Sequence, residues 1–179
     1  MIYVIEGVDC SGKSTIIQGI KKRLNNGLDT EVIHSTFPQG ETLEEKYEFQ
    51  VKYFTDLINM LIANQHKKNF ILDRAWIPEK FYSPMYRNRE AEYIDNLEQR
   101  LIDNVTPNLI RNVLVEAPVE DIEYRFNTYR GEDDPCPPRE DIVELIGLFR
   151  KATSSALSHY ITAHNDNSTD VELIIDSIM

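Results

Sequence analysis

Short apolar runs and helical patterns alternate along this chain. Residues 2–5 (IYVI) form a continuous apolar run that ends close to Gly7. Such a run is typical of a strand that is buried on both faces. The apolar positions of residues 16–24 then recur at helical spacing, which predicts an amphipathic helix. The chain is therefore predicted to begin with a strand, a tight loop and a helix.

The same alternation continues towards the C-terminus. We predict further strands at 31–34, 69–72, 112–115 and 160–163. We predict further helices at 42–65, 76–87 (broken or shortened by Pro78 and Pro84), 90–103, from about Pro118, 140–159 and 169–178. Alternating strands and helices predict an α/β fold of three layers, in which a parallel sheet of about five strands carries helices on both faces. Ligands of such sheets bind beyond the carboxyl ends of the strands.

Length and composition favour a single domain over residues 1–179. A chain of 179 residues with 41% hydrophobic and 27% charged side chains has the size and composition of one globular domain with an ordinary core. The turn-rich patch at 131–140 is too short to be a linker between domains.

Charge and cysteine content exclude several classes of protein. The net charge of −11 argues against binding to a nucleic-acid polymer or a membrane surface, because both require clustered Lys and Arg. Two cysteines, Cys10 and Cys136, are far fewer than a secreted disulfide scaffold contains. The apolar run at the N-terminus has no basic region before it, and no run is long enough to span a membrane. We therefore expect a cytoplasmic, reduced protein that binds a small ligand locally.

The loop after the first predicted strand carries the most specific motif. The segment 6-EGVDCSGKST-15 fits G-x-x-x-x-G-K-[ST] between a predicted strand and a predicted helix. Its glycines let backbone N–H groups turn inward towards a phosphate, and the helix N-terminus adds partial positive charge. Lys13 is placed to reach the β- and γ-phosphates of ATP, and the Ser14 hydroxyl to ligate Mg²⁺. The predicted ATP-binding residues are Gly7, Cys10, Ser11, Gly12, Lys13, Ser14 and Thr15.

Two segments resemble the thymidylate kinase family. The segment 6–15 is similar to the family's E-G-[LIV]-D-G-[AS]-G-K-S-T loop, and 73-DRAWIPEKFYSPMYR-87 resembles the D-R-Y segment after its third strand. The order of elements resembles the family over nearly the whole chain. The resemblance implies a P-loop kinase fold with a short lid, the cofactors ATP and Mg²⁺, and phosphorylation of dTMP or a related, including a modified, pyrimidine deoxynucleotide. It also implies a homodimer, which relatives often form.

The resemblance assigns roles to three charged residues. Asp9 would repel the phosphates of ATP, and the matching aspartate of the family binds the 3′-hydroxyl of deoxyribose; a solvated loop acid is the alternative. Arg74 offers a planar fork that suits the acceptor phosphate, and Asp73 can organise Mg²⁺ or its water. A surface ion pair that caps the strand is the alternative for these two residues.

Aromatic residues match the family less closely. Tyr82 falls where the family lines the acceptor pocket with an aromatic ring, and Phe37 follows the second predicted strand as in the F-P-E-R segment of some relatives. Either could instead be a core residue. Gln39 and Gly40 stand where those relatives have Glu and Arg, so one contact to the acceptor phosphate is missing. The arginine that commonly touches the base is also absent from residues 53–58.

Two later segments resemble nucleotide-contacting parts of these kinases. The segment 121–134 resembles the lid, which we place at about 125–138, with Arg125 and Arg130 as the candidate catalytic arginines. Surface pairing with the neighbouring acids is the alternative. The segment 163-AHNDNS-168 follows the last predicted strand, where related kinases wrap the adenine, although a polar turn with a helix N-cap explains it equally well.

Two other functions remain open. A deoxynucleoside kinase of the same fold would phosphorylate a 5′-hydroxyl with the help of a general base. Such kinases usually place a glutamate just after the second strand, but residues 35–40 contain no acid. Asp73 would then have to serve as the general base. The third function, a P-loop protein that binds ATP without an acceptor, would have no use for Asp9 together with Asp73 and Arg74.

Overall fold

A computed structural model describes residues 1–36, 38–106, 108–130 and 135–179 of the chain. Its strands are β1 (Ile2–Glu6), β2 (Asp29–His34), β3 (Lys68–Asp73), β4 (Ile110–Glu116) and β5 (Tyr160–His164). Its helices are α1 (Lys13–Arg23), α2 (Leu43–Asn64), α3 (Glu79–Arg87), α4 (Glu92–Asn104), α5 (Val119–Tyr129), α6 (Arg139–Ser154) and α7 (Val171–Ile178). Every predicted strand and helix is therefore present.

The strands form one sheet in the order β2-β3-β1-β4-β5, and all neighbouring pairs are parallel. The predicted parallel sheet is thus confirmed. Parallel strands end at the same edge of a sheet, so the carboxyl ends of all five strands lie along one edge. His34 pairs with Asp73, and Glu6 lies beside Leu114. This edge carries the candidate active site.

Helices cover both faces of the sheet, which confirms the three-layer architecture. On one face, apolar residues of α2 to α6 pack against alternate residues of the strands, with Phe54, Trp76 and Phe149 almost completely buried. On the other face, α1 and α7 pack around Ile16, Ile20 and Ile175. The central strand β1 is buried along its whole length, as its continuous apolar run predicts.

Helix boundaries differ from the predictions in two places. Helix α6 ends at Ser154 instead of residue 159, where the hydroxyls of Ser154 and Ser155 bond to carbonyl oxygens of the preceding turn at 2.9 and 3.1 Å. Pro84 does not break α3 but lies inside a helix that is short, with Pro78 at its N-cap. In the part of the chain that the structure describes, no helix has both the length and the apolar character needed to cross a membrane.

Candidate active site

A cleft of about 1260 Å³ opens at the carboxyl edge of the sheet. Its walls come from the loop between β1 and α1, the ends of β2 and β3, helices α2, α3 and α5, and the loop after β5. Most of the predicted site residues line it together: Asp9, Cys10, Gly12, Lys13, Ser14, Thr15, Asp73, Arg74, Tyr82, Arg125 and Arg130. Gly7 and Ser11 are buried in the loop. Phe37 lies outside the described residues.

The loop of residues 7–12, here called the P-loop, requires glycine at two positions. Gly7 has φ of +144°, and a Cβ there would lie 2.3 Å from the carbonyl oxygen of Val115 on β4. Gly12 has φ of +97°, and a Cβ there would lie 1.8 Å from Nδ2 of Asn165. The close contacts of these two glycines with β4 and with the loop after β5 explain why the motif tolerates no side chain there.

Lys13 is held inside the P-loop. Its ammonium group donates hydrogen bonds to the carbonyl oxygens of Gly7 and Val8 at 3.0 and 2.8 Å. Burial lowers the pKa of Lys13 to about 8, and the nearby positive charge of Arg74 acts in the same direction. Ser14 and Thr15 are exposed to the cleft at the first turn of α1.

Arg125 and the loop after β5 brace the P-loop from outside. Arg125 donates to the carbonyl oxygen of Cys10 at 3.2 Å and to the carbonyl oxygen of Asn165 at 3.0 Å. The Asn165 side chain is buried and donates to the carbonyl oxygen of Ser11 at 2.9 Å. Asn167 accepts from Arg125 at 3.0 Å and donates to Asp121 of α5 at 2.6 Å. These contacts join α5, the P-loop and the loop after β5.

Two arginines face the carboxylate of Asp9. The guanidinium of Arg74 forms a salt bridge with it, and Nη2 of Arg130 lies 3.9 Å away. Arg130 also lies over the ring of Phe126, 5.7 Å from its centroid. Asp9 is thus paired within the cleft, and 55% of its side chain is exposed.

The backbone at Arg74 makes an unusual turn. Arg74 has φ of +63°, a conformation that few residues other than glycine adopt. Its N–H donates to the carbonyl oxygen of Ile5 at 2.9 Å, and the next N–H, of Ala75, donates to the side chain of Glu6 at 2.9 Å. Glu6 is completely buried, and burial raises the pKa of its carboxyl group to about 7.

Asp73 contacts a histidine that the sequence did not single out. Its Oδ2 lies 2.9 Å from Nδ1 of His34, where β2 and β3 end side by side. Ser14 and Asp73 line the same cleft, and hydroxyl and carboxylate oxygens suit a hard cation such as Mg²⁺. Among the described residues, no three His, Cys, Asp or Glu side chains cluster closely enough to hold a metal ion by themselves.

A buried polar cluster closes the far end of the cleft, beyond Asp9. Glu79 is paired with Arg87, accepts from Ser83 at 3.1 Å, and accepts from Gln50 at 3.4 Å. All four residues are buried, and Oε1 of Gln50 has no hydrogen-bond partner among the described residues. Tyr82 stands next to this cluster, and burial raises the pKa of its phenol. An aromatic wall beside unpaired polar groups suits a nucleobase.

Sequence reasoning missed several residues of this cleft. Gln50, Glu79 and Arg87 lie on helices that the hydrophobic pattern predicted, but a buried polar residue in a helix gives no separate signal in the pattern. Helix α2 carries no arginine, whereas Arg87 of α3 lines the cleft. Asn165 falls in the segment at 163–168 that was singled out, but the bond of its side chain to Ser11 in the P-loop was not predicted.

Comparisons with known proteins address the fold. No protein-family model matches the chain, and no curated protein sequence matches it. A YorR protein from Bacillus subtilis, solved in complex with phosphorylated GDP, is 20% identical to this chain, with a TM-score of 0.69. The match covers 99% of this chain and 93% of the YorR chain. Deoxyadenosine kinase from M. mycoides with bound dCTP is 19% identical, with a TM-score of 0.55. That match covers 100% of this chain and 97% of the kinase chain.

A sugar kinase from Janibacter sp., solved without ligand, is also similar, with 19% identity, a TM-score of 0.53, 98% of this chain covered and 90% of its own. At this level of identity the likeness concerns the fold. The chain has the three-layer P-loop kinase fold that the sequence predicted. Its assignment to the thymidylate kinases stays a prediction.

Proposed function

We propose that this protein transfers the γ-phosphate of ATP to a deoxynucleoside monophosphate, with dTMP or a related pyrimidine nucleotide as the acceptor. The observation that carries the proposal is the convergence of Arg74 and Arg130 on Asp9, in the same cleft as Lys13. In a chain of net charge −11, such a local group of cations favours a ligand with several negative charges. Two phosphorylated ligands that meet in one cleft supply those charges.

The ATP half of the cleft is formed by the P-loop and its braces. The backbone N–H groups of the P-loop and the N-terminus of α1 suit the phosphates, and Lys13 would exchange its bonds to the carbonyl oxygens of Gly7 and Val8 for the β- and γ-phosphates. Ser14, with Asp73 or its water, would hold Mg²⁺. When bound there, the cation would neutralise charge on the β- and γ-phosphates.

The acceptor half begins at Arg74. Its guanidinium can bind the acceptor phosphate through two parallel hydrogen bonds, while the carboxylate of Asp9 accepts from the 3′-hydroxyl of the sugar. The base then lies between Tyr82 and the buried polar cluster. A pyrimidine such as thymine offers an N–H donor and a carbonyl oxygen, which match the acceptor and the donor of the Gln50 carboxamide.

Transfer requires little covalent chemistry from the protein. An oxygen of the acceptor phosphate bonds to the γ-phosphorus as the bond to the β-phosphate oxygen breaks, which leaves ADP and the diphosphate product. The attacking oxygen is already ionised at neutral pH, so no general base is needed. Arg130 and Lys13 stabilise the charge on the transferring group, and a cleft closed to water protects it from hydrolysis.

One observation favours a deoxynucleoside kinase as the second candidate. A 5′-hydroxyl acceptor must lose a proton, and the pair of His34 and Asp73, 2.9 Å apart at the ends of β2 and β3, is a carboxylate-oriented imidazole that could take it. The two functions therefore differ in their need for His34.

The experiment that separates them measures ADP release from MgATP with dTMP, dUMP, dCMP, dGMP or dAMP, beside the matching nucleosides. We expect stimulation by monophosphates, greatest with dTMP, and unchanged turnover in His34→Gln. Lys13→Met, which removes the ammonium group but keeps much of the side-chain volume, should abolish turnover and serves as the background control. Stimulation by nucleosides alone, lost in His34→Gln, would replace the proposal with the second candidate. No stimulation by any acceptor would refute both.

A further inference from the structure

Glu6 is a buried carboxyl group that the proposed chemistry does not use. It is the last residue of β1, immediately before the P-loop, and its side chain is completely inaccessible to solvent. Burial of an ionisable group is unfavourable unless the group is paired or hydrogen-bonded. Lys13 and Arg74 are the positive charges near it, and neither forms a salt bridge with it within the described residues.

One hydrogen bond of Glu6 lies directly beside the acceptor arginine. Its Oε1 accepts a hydrogen bond from the N–H of Ala75 at 2.9 Å, across 69 residues of sequence. This N–H belongs to the peptide unit that follows Arg74, whose own backbone is left-handed with φ of +63°. The carboxyl group therefore accepts from a backbone N–H that cannot pair within the sheet, because the turn follows the end of β3.

Two further bonds fix the same turn. The N–H of Arg74 donates to the carbonyl oxygen of Ile5 at 2.9 Å, and its carbonyl oxygen accepts from the hydroxyl of Ser35 at 2.8 Å. Both of these partners are on neighbouring strands or their loops. Glu6 supplies the only side-chain carboxylate among the described residues that bonds to the backbone of residues 74 and 75. The direction of the Arg74 side chain towards Asp9 depends on this turn.

We propose that Glu6 is a positioning residue that holds Arg74 in place for the acceptor phosphate by bonding to the N–H of Ala75. The inference rests on the proposed function, because it assumes that Arg74 binds that phosphate. Since Glu6 directly precedes Gly7, the same strand end that leads into the ATP-binding loop also sets the position of the acceptor arginine. The distance between the two phosphates is thereby fixed by one rigid element.

Three carboxylate variants and one arginine variant test the inference. Glu6→Ala removes the acceptor for Ala75, whereas Glu6→Gln keeps an oxygen acceptor and removes the charge. Glu98→Ala is the matched control, because Glu98 is equally buried in the same core but bonds to Lys80 at 3.1 Å, away from the turn. Steady-state kinetics with dTMP and ATP would be measured for each, and Arg74→Ala would be combined with Glu6→Ala in a double-mutant cycle.

We expect Glu6→Ala to raise KM for dTMP by about tenfold or more while KM for ATP changes by less than about threefold, as expected from the loss of one directional contact. Glu6→Gln should recover most of that loss, and Glu98→Ala should leave both values near those of the unmodified protein. Glu6→Ala should have no additional effect on KM for dTMP when Arg74→Ala is already present. Equal changes in both KM values, failure of Glu6→Gln to recover, or additive effects in the cycle would overturn the inference.

The only tryptophan of the chain provides a readout that needs no substrate. Trp76 follows Ala75 and is 1% exposed, so its fluorescence reports on the turn. We expect Glu6→Ala to shift its emission to longer wavelength and to increase quenching by acrylamide, while Glu6→Gln and Glu98→Ala do not. If no monophosphate stimulates the unmodified protein, the proposed function fails, and this measurement still decides whether Glu6 holds the turn: an unchanged emission in Glu6→Ala would refute it.

Discussion

Arg125 donates a hydrogen bond from Nη1 to the backbone carbonyl oxygen of Cys10 at 3.2 Å. Its Nη2 donates to the loop after β5, so this guanidinium is already engaged in bracing the P-loop. Arg130 differs, because 43% of its side chain is exposed and it lies 3.9 Å from Asp9 at the mouth of the acceptor half. The two predicted lid arginines therefore occupy different environments, and we expect them to affect different kinetic constants.

Replacement of Arg125 should weaken ATP binding more than it slows transfer. Arg125→Met removes three charge-assisted hydrogen bonds to loops that form the proposed ATP site. Loss of such bonds is worth roughly 1.5–3 kcal/mol, and we therefore expect KM for ATP to rise by about tenfold or more, with a smaller change in kcat. Steady-state kinetics at saturating dTMP would measure KM for ATP and kcat separately. A large fall in kcat with an unchanged KM for ATP would instead favour a direct catalytic role.

Replacement of Arg130 should lower kcat. Arg130→Ala removes a cation from the mouth of the cleft, and removing one group that stabilises the transition state typically costs about 10²–10³ in kcat. Stability should change little, because the side chain is substantially exposed. Arg139→Ala is the control: this arginine is also exposed and close to the lid, but it pairs with Glu120 and Glu123 outside the cleft. An unchanged kcat in Arg130→Ala would remove this residue from the catalytic set.

The buried carboxyl of Glu6 should make stability fall as pH rises. Burial raises its pKa from 4.5 to about 7, so between these pH values the folded protein binds a proton that the unfolded chain releases. The stabilising contribution is complete below pH 4.5 and is lost as pH rises through about 7. Glu6→Gln lacks this titration. Relative to the unmodified protein, its free energy of unfolding should therefore increase between pH 4.5 and pH 8, by on the order of 3 kcal/mol.

Urea denaturation of the two proteins at several pH values would measure that difference. Only the difference between the proteins is informative, because titrating groups far from Glu6 affect both equally. A difference that does not vary with pH would show that Glu6 titrates normally in the folded state.

Replacement of Arg87 should destabilise the fold strongly. Its salt bridge with Glu79 is buried, and removing one partner of a buried pair leaves the other charge without compensation. We expect Arg87→Met to lower the free energy of unfolding by about 3–5 kcal/mol. Arg89→Met is the matched control, since Arg89 pairs with Glu44 at the surface and should contribute about 0–1 kcal/mol. Urea denaturation would measure both, and equal effects would contradict the role of burial.

The sequence by itself determined the order of strands and helices along the chain and the location of the P-loop. Residues 2–5 identify a buried strand because a strand covered on both faces must be apolar throughout. Gly7, Gly12 and Lys13 identify the P-loop because their spacing matches a local backbone shape, and local shapes are encoded by neighbouring residues. Helix ends were less accurate, as at residues 154–159, where serine hydroxyls compete for backbone carbonyls.

Only the tertiary structure decided which distant side chains meet. Asp9 and Arg74 are 65 residues apart in sequence, and Gln50 and Arg87 reach one buried cluster from α2 and α3. No periodic pattern records such pairs, because a hydrophobic pattern reports which face of an element is buried and not what lies opposite it. The contacts of Glu6 with Ala75 and of Arg125 with Cys10 depend on how the strands are ordered in the sheet, and this order is set by the packing of the whole chain.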